Sequence, residues 1–375
     1  MKYKIAVSGS YGGMNAGDEA ILESILKQLR ASLDAEIVVF SRNPKDTEQR
    51  HKVRALPIRE MDKDAILNEL KSLDLFILGG GGILFDGYVE GFLRDVRWAK
   101  ELGIPVFVYA VSIGPLKKAE NKQMVVEVLN TVDRITVREG EAKRMMHEMG
   151  IELDIEVTSD PALLMQEESW TLEALKAQGI NSEIPLVGFS LREPGDAAPE
   201  LNIDQYHAVL ANAADFMVER FGAQILFVPM ERGENKDIQH SHAVISRMSS
   251  AHRASVLSGD YTSGQILGLV GRMAFAVGMR LHFLIFAGIQ KVPFVPLPYA
   301  SKVSGFLSDL EMPMPAITKM NTGKLCALID RSWDRRDRIK KQLEEKVPQL
   351  QERAKLTNTL LWDFLKSLKP KPLDL

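Results

Sequence analysis

The chain has 375 residues, 45% hydrophobic and 26% charged, with a net charge of -3 and one cysteine, Cys326. That is the composition of a globular protein long enough for two domains. It excludes a disulfide framework, fits a reducing compartment, and gives no bulk attraction to nucleic acid. The N-terminus is too poor in apolar residues for a signal peptide, and no stretch reaches the roughly 18–20 apolar residues that a membrane span needs, so a cytoplasmic protein is expected.

In chain order, Tyr3 to Ser8 reads as a strand buried on both faces. It runs into a glycine-rich loop, Gly9 to Ala20, followed at once by helix signals: Asp18 and Glu19, then Ile21, Leu22, Ile25, Leu26 and Leu29 at helical spacing. A strand, a glycine-rich loop and a helix N-terminus form an anion site in many nucleotide-binding folds. This loop lacks both the dinucleotide fingerprint and the Lys-Ser/Thr of a P-loop. Asp18 and Glu19 would repel a phosphate there, so Asp18 is read as a helix cap or a contact to a sugar hydroxyl. Strands are predicted at Glu36 to Ser41, at Asp74 to Leu84 with a second glycine loop at Gly79 to Gly82, and at Pro105 to Ala110 followed by Ser112-Ile-Gly-Pro115. Two more follow, at Asp133 to Glu139 and at Ile155 to Thr158, the latter leading into Ser159-Asp-Pro161. Helical segments such as Gly91 to Leu102 and Gln123 to Asn130 lie between them. Residues 166–183 read as a linker.

The alternation then restarts. Leu186 to Arg192, Gln224 to Met230, Arg253 to Leu257 and Val292 to Tyr299 read as strands, and Tyr206 to Arg220 and Ser263 to Val270 as helices. Met273 to Gly278 is an apolar run bounded by glycine, a buried strand; Leu281 to Ala287 reads as a short buried helix ending near Gly288. Arg280 and His282 therefore fall where a strand ends and a helix begins, the edge of an open α/β sheet where ligands bind. Arg280 brings a planar charged fork, and His282 a proton that moves near neutral pH. From Trp333 to Leu368 a charged helix carries the stripe Ile339, Leu343, Val347, Leu350 and Ala354, with Pro348 expected to kink or split it. Strands alternating with helices mean parallel sheets. The fold class is α/β, two Rossmann-like doubly wound domains facing a central cleft as in GT-B enzymes, with a C-terminal crossing helix. The expected domains are 1–166 on the acceptor side, 184–330 on the donor side, and 331–375 packing back on the first.

Seven pieces of sequence carry a resemblance. They are Asn15-Ala-Gly-Asp-Glu-Ala20, Gly79 to Gly82, Ser112-Ile-Gly-Pro115, Val137-Arg-Glu139, Ser159-Asp-Pro161, Ser190-Leu-Arg192, and Arg280-Leu-His282 with Lys302 downstream. In this order and spacing the chain resembles the polysaccharide pyruvyl transferases, in particular the CsaB-type enzymes. The resemblance implies transfer of the pyruvyl group of phosphoenolpyruvate onto a sugar as a 4,6-ketal with release of phosphate, without a cofactor. It implies as acceptor an N-acetylmannosamine residue on a lipid-diphosphate-linked disaccharide, in secondary cell-wall polymer synthesis for surface-layer anchoring, with peripheral contact at the inner face of the membrane. It places the family's Arg-Leu-His motif on Arg280, Leu281 and His282 and its other basic positions on Arg138 and Lys302. Some relatives carry a hydroxyl residue where this chain has Ala16.

The chemistry fits the residues. Phosphoenolpyruvate is a small trianion, and Arg138, Arg280 and Lys302 could meet its charge. His282 is the candidate proton donor to C3. Asp18, Asp160 and Glu139 are candidate bases for the sugar hydroxyl. Arg192, Asn15, Gly17, Gly80, Gly81, Ser112 and Gly114 complete the expected substrate-binding set, and no metal cluster appears. Arg138 beside Glu139 could equally be a structural ion pair, Lys302 a solvated lysine, and Ser159-Asp160-Pro161 only a turn. A nucleotide-sugar glycosyltransferase of GT-B type and a non-catalytic binder of sugar or lipid carrier are the alternatives.

Overall fold

The computed structural model describes residues 2–114, 116–193, 202–233, 236–298, 300–316 and 320–368; Pro115 and Tyr299 lie outside them. The chain falls into two compact units, one of residues 1–13, 21–164 and 350–375, the other of residues 14–20 and 165–349. The first unit's elements are β1 (Tyr3–Ser8), α1 (Ala16–Ser32, whose first turn groups with the other unit), β2 (Ala35–Ser41), α2 (Pro44–His51), β3 (Arg54–Pro57), α3 (Lys63–Lys71), β4 (Leu75–Leu84), α4 (Val89–Glu101), β5 (Val106–Ile113), α5 (Ala119–Leu129), β6 (Arg134–Val137), α6 (Gly140–Met149) and β7 (Ile155–Val157). Its seven strands run in the order β3-β2-β1-β4-β5-β6-β7, every pair parallel. The strands are continuous apolar runs because helices cover both faces.

The second unit contains α7 (Leu172–Ala177), β8 (Leu186–Ser190), α8 (Ile203–Phe221), β9 (Gln224–Phe227), α9 (Asp237–Ile245), β10 (Ala254–Val256), α10 (Ser263–Val270), β11 (Phe275–Gly278), α11 (Leu281–Ile289), β12 (Phe294–Pro296), α12 (Ser301–Asp309) and α13 (Thr322–Asp334). Its five parallel strands run β10-β9-β8-β11-β12. The last helix, α14 (Arg336–Ser367), is divided: residues up to Gln349 group with the second unit and those from Leu350 with the first.

Three expectations need correction. Gly79 to Gly82 do not form a loop; β4 runs through them to Leu84. Glycine is required there by close packing. A Cβ on Gly79 would lie 2.4 Å from the Tyr11 hydroxyl, and one on Gly80 2.7 Å from Ile21 of α1. Pro348 does not split its helix. It sits on the exposed face, where water can reach the carbonyl it leaves unbonded. Leu343, Val347, Leu350 and Ala354 are buried on the opposite side, and their burial outweighs the roughly 3 kcal/mol an interior proline costs. Residues 166–183 are not a bare linker. They contain α7, and Trp170 donates from its indole nitrogen to the Gln265 carbonyl at 2.6 Å and packs on Tyr261.

One buried carboxylate costs the fold stability. Asp95 on α4 is 2% exposed, and burial pushes its carboxyl up to about 6 from 3.8 against the pull of Arg94. The folded state therefore holds the proton more tightly than the unfolded state. The penalty is absent below about pH 4, grows as pH rises, and is complete above about pH 6. Asp95→Asn is expected to stabilise the protein at pH 7 by up to roughly 3 kcal/mol, since each tenfold gain in proton affinity on folding is worth about 1.4 kcal/mol. Urea midpoints at pH 7 and pH 4.5 check this. The gain should shrink at the lower pH, and a variant less stable than wild type at pH 7 overturns it.

Candidate functional site

In the second unit the strand order reverses between β8 and β11, and this switch point is where a parallel sheet exposes ligand-binding loops. Arg192 follows β8, Glu231 lies past β9, and Arg280 and His282 follow β11. Arg280 is the residue before α11, and His282 stands in the first turn of that helix. Leu281 between them points into the core, 4% exposed.

The N-terminal motif belongs here too. The Ala16 N–H donates to the Met230 carbonyl at 2.8 Å, Arg232 N–H donates to the Met14 carbonyl at 3.0 Å, and Asn15 pairs with Glu231 in an antiparallel bridge. Ser263 Oγ donates to the Ala16 carbonyl at 2.7 Å. These bonds explain why residues 14–20 group with the second unit. Asn15 caps α1, its Oδ1 accepting from Gly17 N–H at 2.9 Å, so the cap expected of Asp18 is supplied by Asn15 and Asp18 sits in the first turn. The imidazole of His282 lies directly on Gly17. A Cβ there would be 1.9 Å from Nδ1.

Arg280 is a fixed cation. Its Nε and Nη2 donate to Asp237 at 3.0 and 2.6 Å, and Nη2 also donates to Glu231 at 2.7 Å. Asp237, fully buried, accepts two backbone N–H bonds as well, from Met230 at 3.0 Å and Glu231 at 3.1 Å. Burial opposes ionisation of Glu231, but Arg280 and Lys236 outweigh it and hold that carboxyl below its usual range. Arg192 Nε donates to the Glu193 carbonyl at 2.9 Å, and Tyr206 fixes the same turn by donating its hydroxyl to the Arg192 carbonyl at 3.0 Å. Lys302 does not lie on a loop. It is half-buried in the first turn of α12.

A separate set of expected residues assembles in the first unit, beyond β5, β6 and β7. Arg138 Nη1 donates to Asp160 at 2.6 Å and its Nε to Glu139 at 3.2 Å, while Ser112 Oγ donates to Glu139. All four are buried. Burial pushes the Glu139 carboxyl up, against the pull of Arg138 and Ser112. The helix α14 pins the turn holding Asp160, with Arg353 donating to the Thr158 carbonyl at 2.9 Å and Gln351 to the Leu163 carbonyl at 3.0 Å. Gly80 and Gly81 are strand residues of β4, Gly81 with φ 95°, and Gly114 packs on Phe85, where a Cβ would come within 2.9 Å.

The sequence reading missed Asp237 and Glu231. Its only signal was a charged run, Glu231 to Asp237, just past a buried strand. It also missed His240 on α9, whose Nδ1 lies 3.0 Å from His207 Nε2. Burial first, with Arg192 and Arg280 adding to it, lowers the His240 imidazole. Among the described residues no group of three His, Cys, Asp or Glu side chains could hold a metal ion, and no helix is long and apolar enough to cross a membrane.

Two parallel-sheet Rossmann-like units in one chain are the architecture of the GT-B class. Solved structures of that architecture align along nearly the whole chain. UDP-GlcNAc 2-epimerase from Neisseria meningitidis, bound to UDP-GlcNAc, superposes with a TM-score of 0.66 at 10% identity over 97% of this chain and 100% of that one. A glycosyltransferase from Rickettsia africae gives 0.63 at 11% identity over 98% and 100%. At such identities the likeness is one of fold. Within that class, residues 15–301 match the family described as polysaccharide pyruvyl transferase, and the chain belongs to that family. It is 23% identical over 315 residues to the amylovoran biosynthesis protein AmsJ of Erwinia amylovora, covering 80% of this chain and 74% of the relative.

Proposed function

We propose that this pyruvyl transferase takes its pyruvyl group from phosphoenolpyruvate and delivers it to two hydroxyls of one sugar residue as a 4,6-ketal. The observation that carries the reading is the seat of His282, held on the backbone of Gly17 beside a cation, Arg280, that Asp237 fixes in place. His282 donates a proton to C3 of the enol while the first hydroxyl oxygen bonds to C2. The second hydroxyl then attacks C2 and the C2–O bond to phosphate breaks. One hydroxyl proton ends on C3 and the other leaves with phosphate, so the step balances without an oxidant or a cofactor. Arg192 and Lys302 supply charge for the donor, with Arg280 as their fixed neighbour. Asp18 remains a candidate base, and Glu231 joins it as a site carboxylate. Asn15 shapes the backbone beside His282.

The acceptor in this reading is an N-acetylmannosamine residue of a lipid-diphosphate-linked disaccharide, met at the cytoplasmic face of the membrane and destined for a secondary cell-wall polymer that anchors surface-layer proteins. A second reading, favoured by the similarity to AmsJ, is an exopolysaccharide acceptor. Phosphate release from phosphoenolpyruvate, followed with N-acetylmannosaminides and with other hexosides, tests both. Acceptor-dependent release is expected, falling at least about 100-fold in His282→Ala, the range of one general acid. Release that survives the substitution removes His282 as the donor. No release with any acceptor, together with turnover of a nucleotide-sugar, replaces the reading with glycosyl transfer. Binding of sugar with no turnover of either donor leaves a binding protein.

A further inference from the structure

Two histidines of the second unit stand outside every motif that carries the pyruvyl-transfer reading. His207 lies on α8 and His240 on α9, with His207 Nε2 3.0 Å from His240 Nδ1. The pair ties together the two helices that hold the site's arginines. On α8, Tyr206 beside His207 donates its hydroxyl to the Arg192 carbonyl. On α9, Asp237, one turn before His240, takes the bonds from Arg280. His207 is 6% exposed, whereas His240 is half-buried and its Nε2 bonds nothing among the described residues.

The charged and titratable groups around the pair are Asp204 on α8, Asp237 on α9, Arg247 just after α9, Arg192 and Glu193 past β8, and Arg280 past β11. Burial first, then His240 and Arg247, lowers the His207 imidazole to about 4, against the pull of Asp204. His207 is therefore neutral near pH 7. Burial also lowers His240, with Arg192 and Arg280 adding to it and Glu193 and Asp237 opposing. An anion bound beside Arg192 would change that balance, because a nearby negative charge favours the imidazolium. Both nitrogens of an imidazolium donate. A charged His240 would thus give its Nδ1 proton to neutral His207 and keep its Nε2 proton for the ligand.

We propose that His240 is a proton-coupled subsite for the phosphate-bearing donor: donor binding draws a proton onto Nε2, and the imidazolium then holds the anion together with Arg192. Calling the donor phosphoenolpyruvate rests on the pyruvyl-transfer reading; the coupling needs only an anion. The sign follows from linkage. A group whose pKa is raised in the loaded state adds affinity at low pH, and this is lost as pH rises through the loaded-state value. His207 is the positioning residue of the pair, since it accepts from the charged ring without competing for the proton.

The test is isothermal titration with phosphoenolpyruvate at pH 7 in buffers of different ionisation heat, which counts the protons taken up on binding. A phosphate monoester, with its second pKa at about 6, is nearly fully ionised there, so any uptake belongs to the protein. An opposite charge within about 4–6 Å shifts a pKa by roughly one to three units, so wild type should take up roughly half a proton per donor bound. His240→Gln, whose amide still donates to His207, should take up none. It should bind donor about three- to tenfold more weakly at pH 6.5 and like wild type at pH 8.5, because a shift of about one unit is tenfold in affinity. His282→Ala should keep the uptake, which separates His240 from the other titrating ring of the site. Each variant is checked for native circular dichroism. No uptake by wild type, uptake that survives in His240→Gln, or a weakening equal at both pH values overturns the coupling. If phosphoenolpyruvate does not bind but UDP-GlcNAc does, with uptake that His240→Gln abolishes, the coupling stands and pyruvyl transfer falls. If neither binds, both fall.

Discussion

Replacing Gly17 with alanine is expected to remove at least about 99% of pyruvyl-transfer activity while leaving the fold intact. Position 17 lies inside α1, where alanine would ordinarily be favoured over glycine by about 1 kcal/mol. The added methyl would, however, stand 1.9 Å from His282 Nδ1 and 2.4 Å from its Cγ. Real Cβ atoms do not approach so closely, so either the imidazole swings away or the Asn15–Gly17 turn lifts off Met230 and Glu231. Displacing a catalytic group by about 1 Å costs on the order of 100-fold in rate. Turnover, circular dichroism and the thermal midpoint, measured together, check this. Gly140→Ala, with nothing within 4 Å of its Cβ, serves as the silent control. Because the effect runs through His282, adding Gly17→Ala to His282→Ala should cost nothing more. A Gly17→Ala enzyme with full activity would falsify the assignment of His282 to the reaction.

Asp237→Ala is expected to be strongly destabilising. Asp237 is fully buried and accepts from Arg280 and from the backbone N–H groups of Met230 and Glu231. Its removal leaves an arginine that is only 9% exposed without its paired acceptor, and two N–H groups without theirs. Breaking a buried pair by deleting one partner costs about 3–5 kcal/mol, roughly a fifth or more of the 5–15 kcal/mol that holds a typical protein folded. Glu231 does not compensate, since its side chain is 24% exposed and a wet ion pair is worth less than about 1 kcal/mol. Urea denaturation and phosphate release should both show the loss. The double variant Asp237→Leu with Arg280→Met separates the causes. Apolar replacement of both charges should recover most of the stability and none of the activity. If activity returned as well, Arg280 would have only a structural role.

These two residues also show how far the sequence could be read. The Arg280-Leu-His282 turn stood out because a buried strand and a buried helix flanked it, and a local apolar pattern is enough to locate such a junction. Asp237 did not stand out, because nothing near it in sequence distinguishes it from a solvated acidic residue. Its burial depends on β9 and β11 both lying beside β8. The glycines divide the same way. Gly17 and Gly80 look alike in a sequence, yet one makes room for an imidazole and the other for Ile21. Reading Gly79 to Gly82 as a loop followed from glycine's backbone freedom. The ladder to β5, which pairs Gly79 with Tyr109 and Gly81 with Val111, outweighed it, and the freedom of glycine is used inside the strand at Gly81, where φ is 95°.

By itself the sequence determined the alternation of strands and helices, the two parallel sheets, and the order of motifs that marks the family, because each rests on periodicity or on residues close in the chain. Only the tertiary structure decided that residues 14–20 join the second unit, that Arg280 is committed to Asp237, and that Pro348 sits in an unbroken helix. Each of those depends on hydrogen bonds and burial between segments far apart in the chain, and these exist only once the topology has brought particular strand ends together.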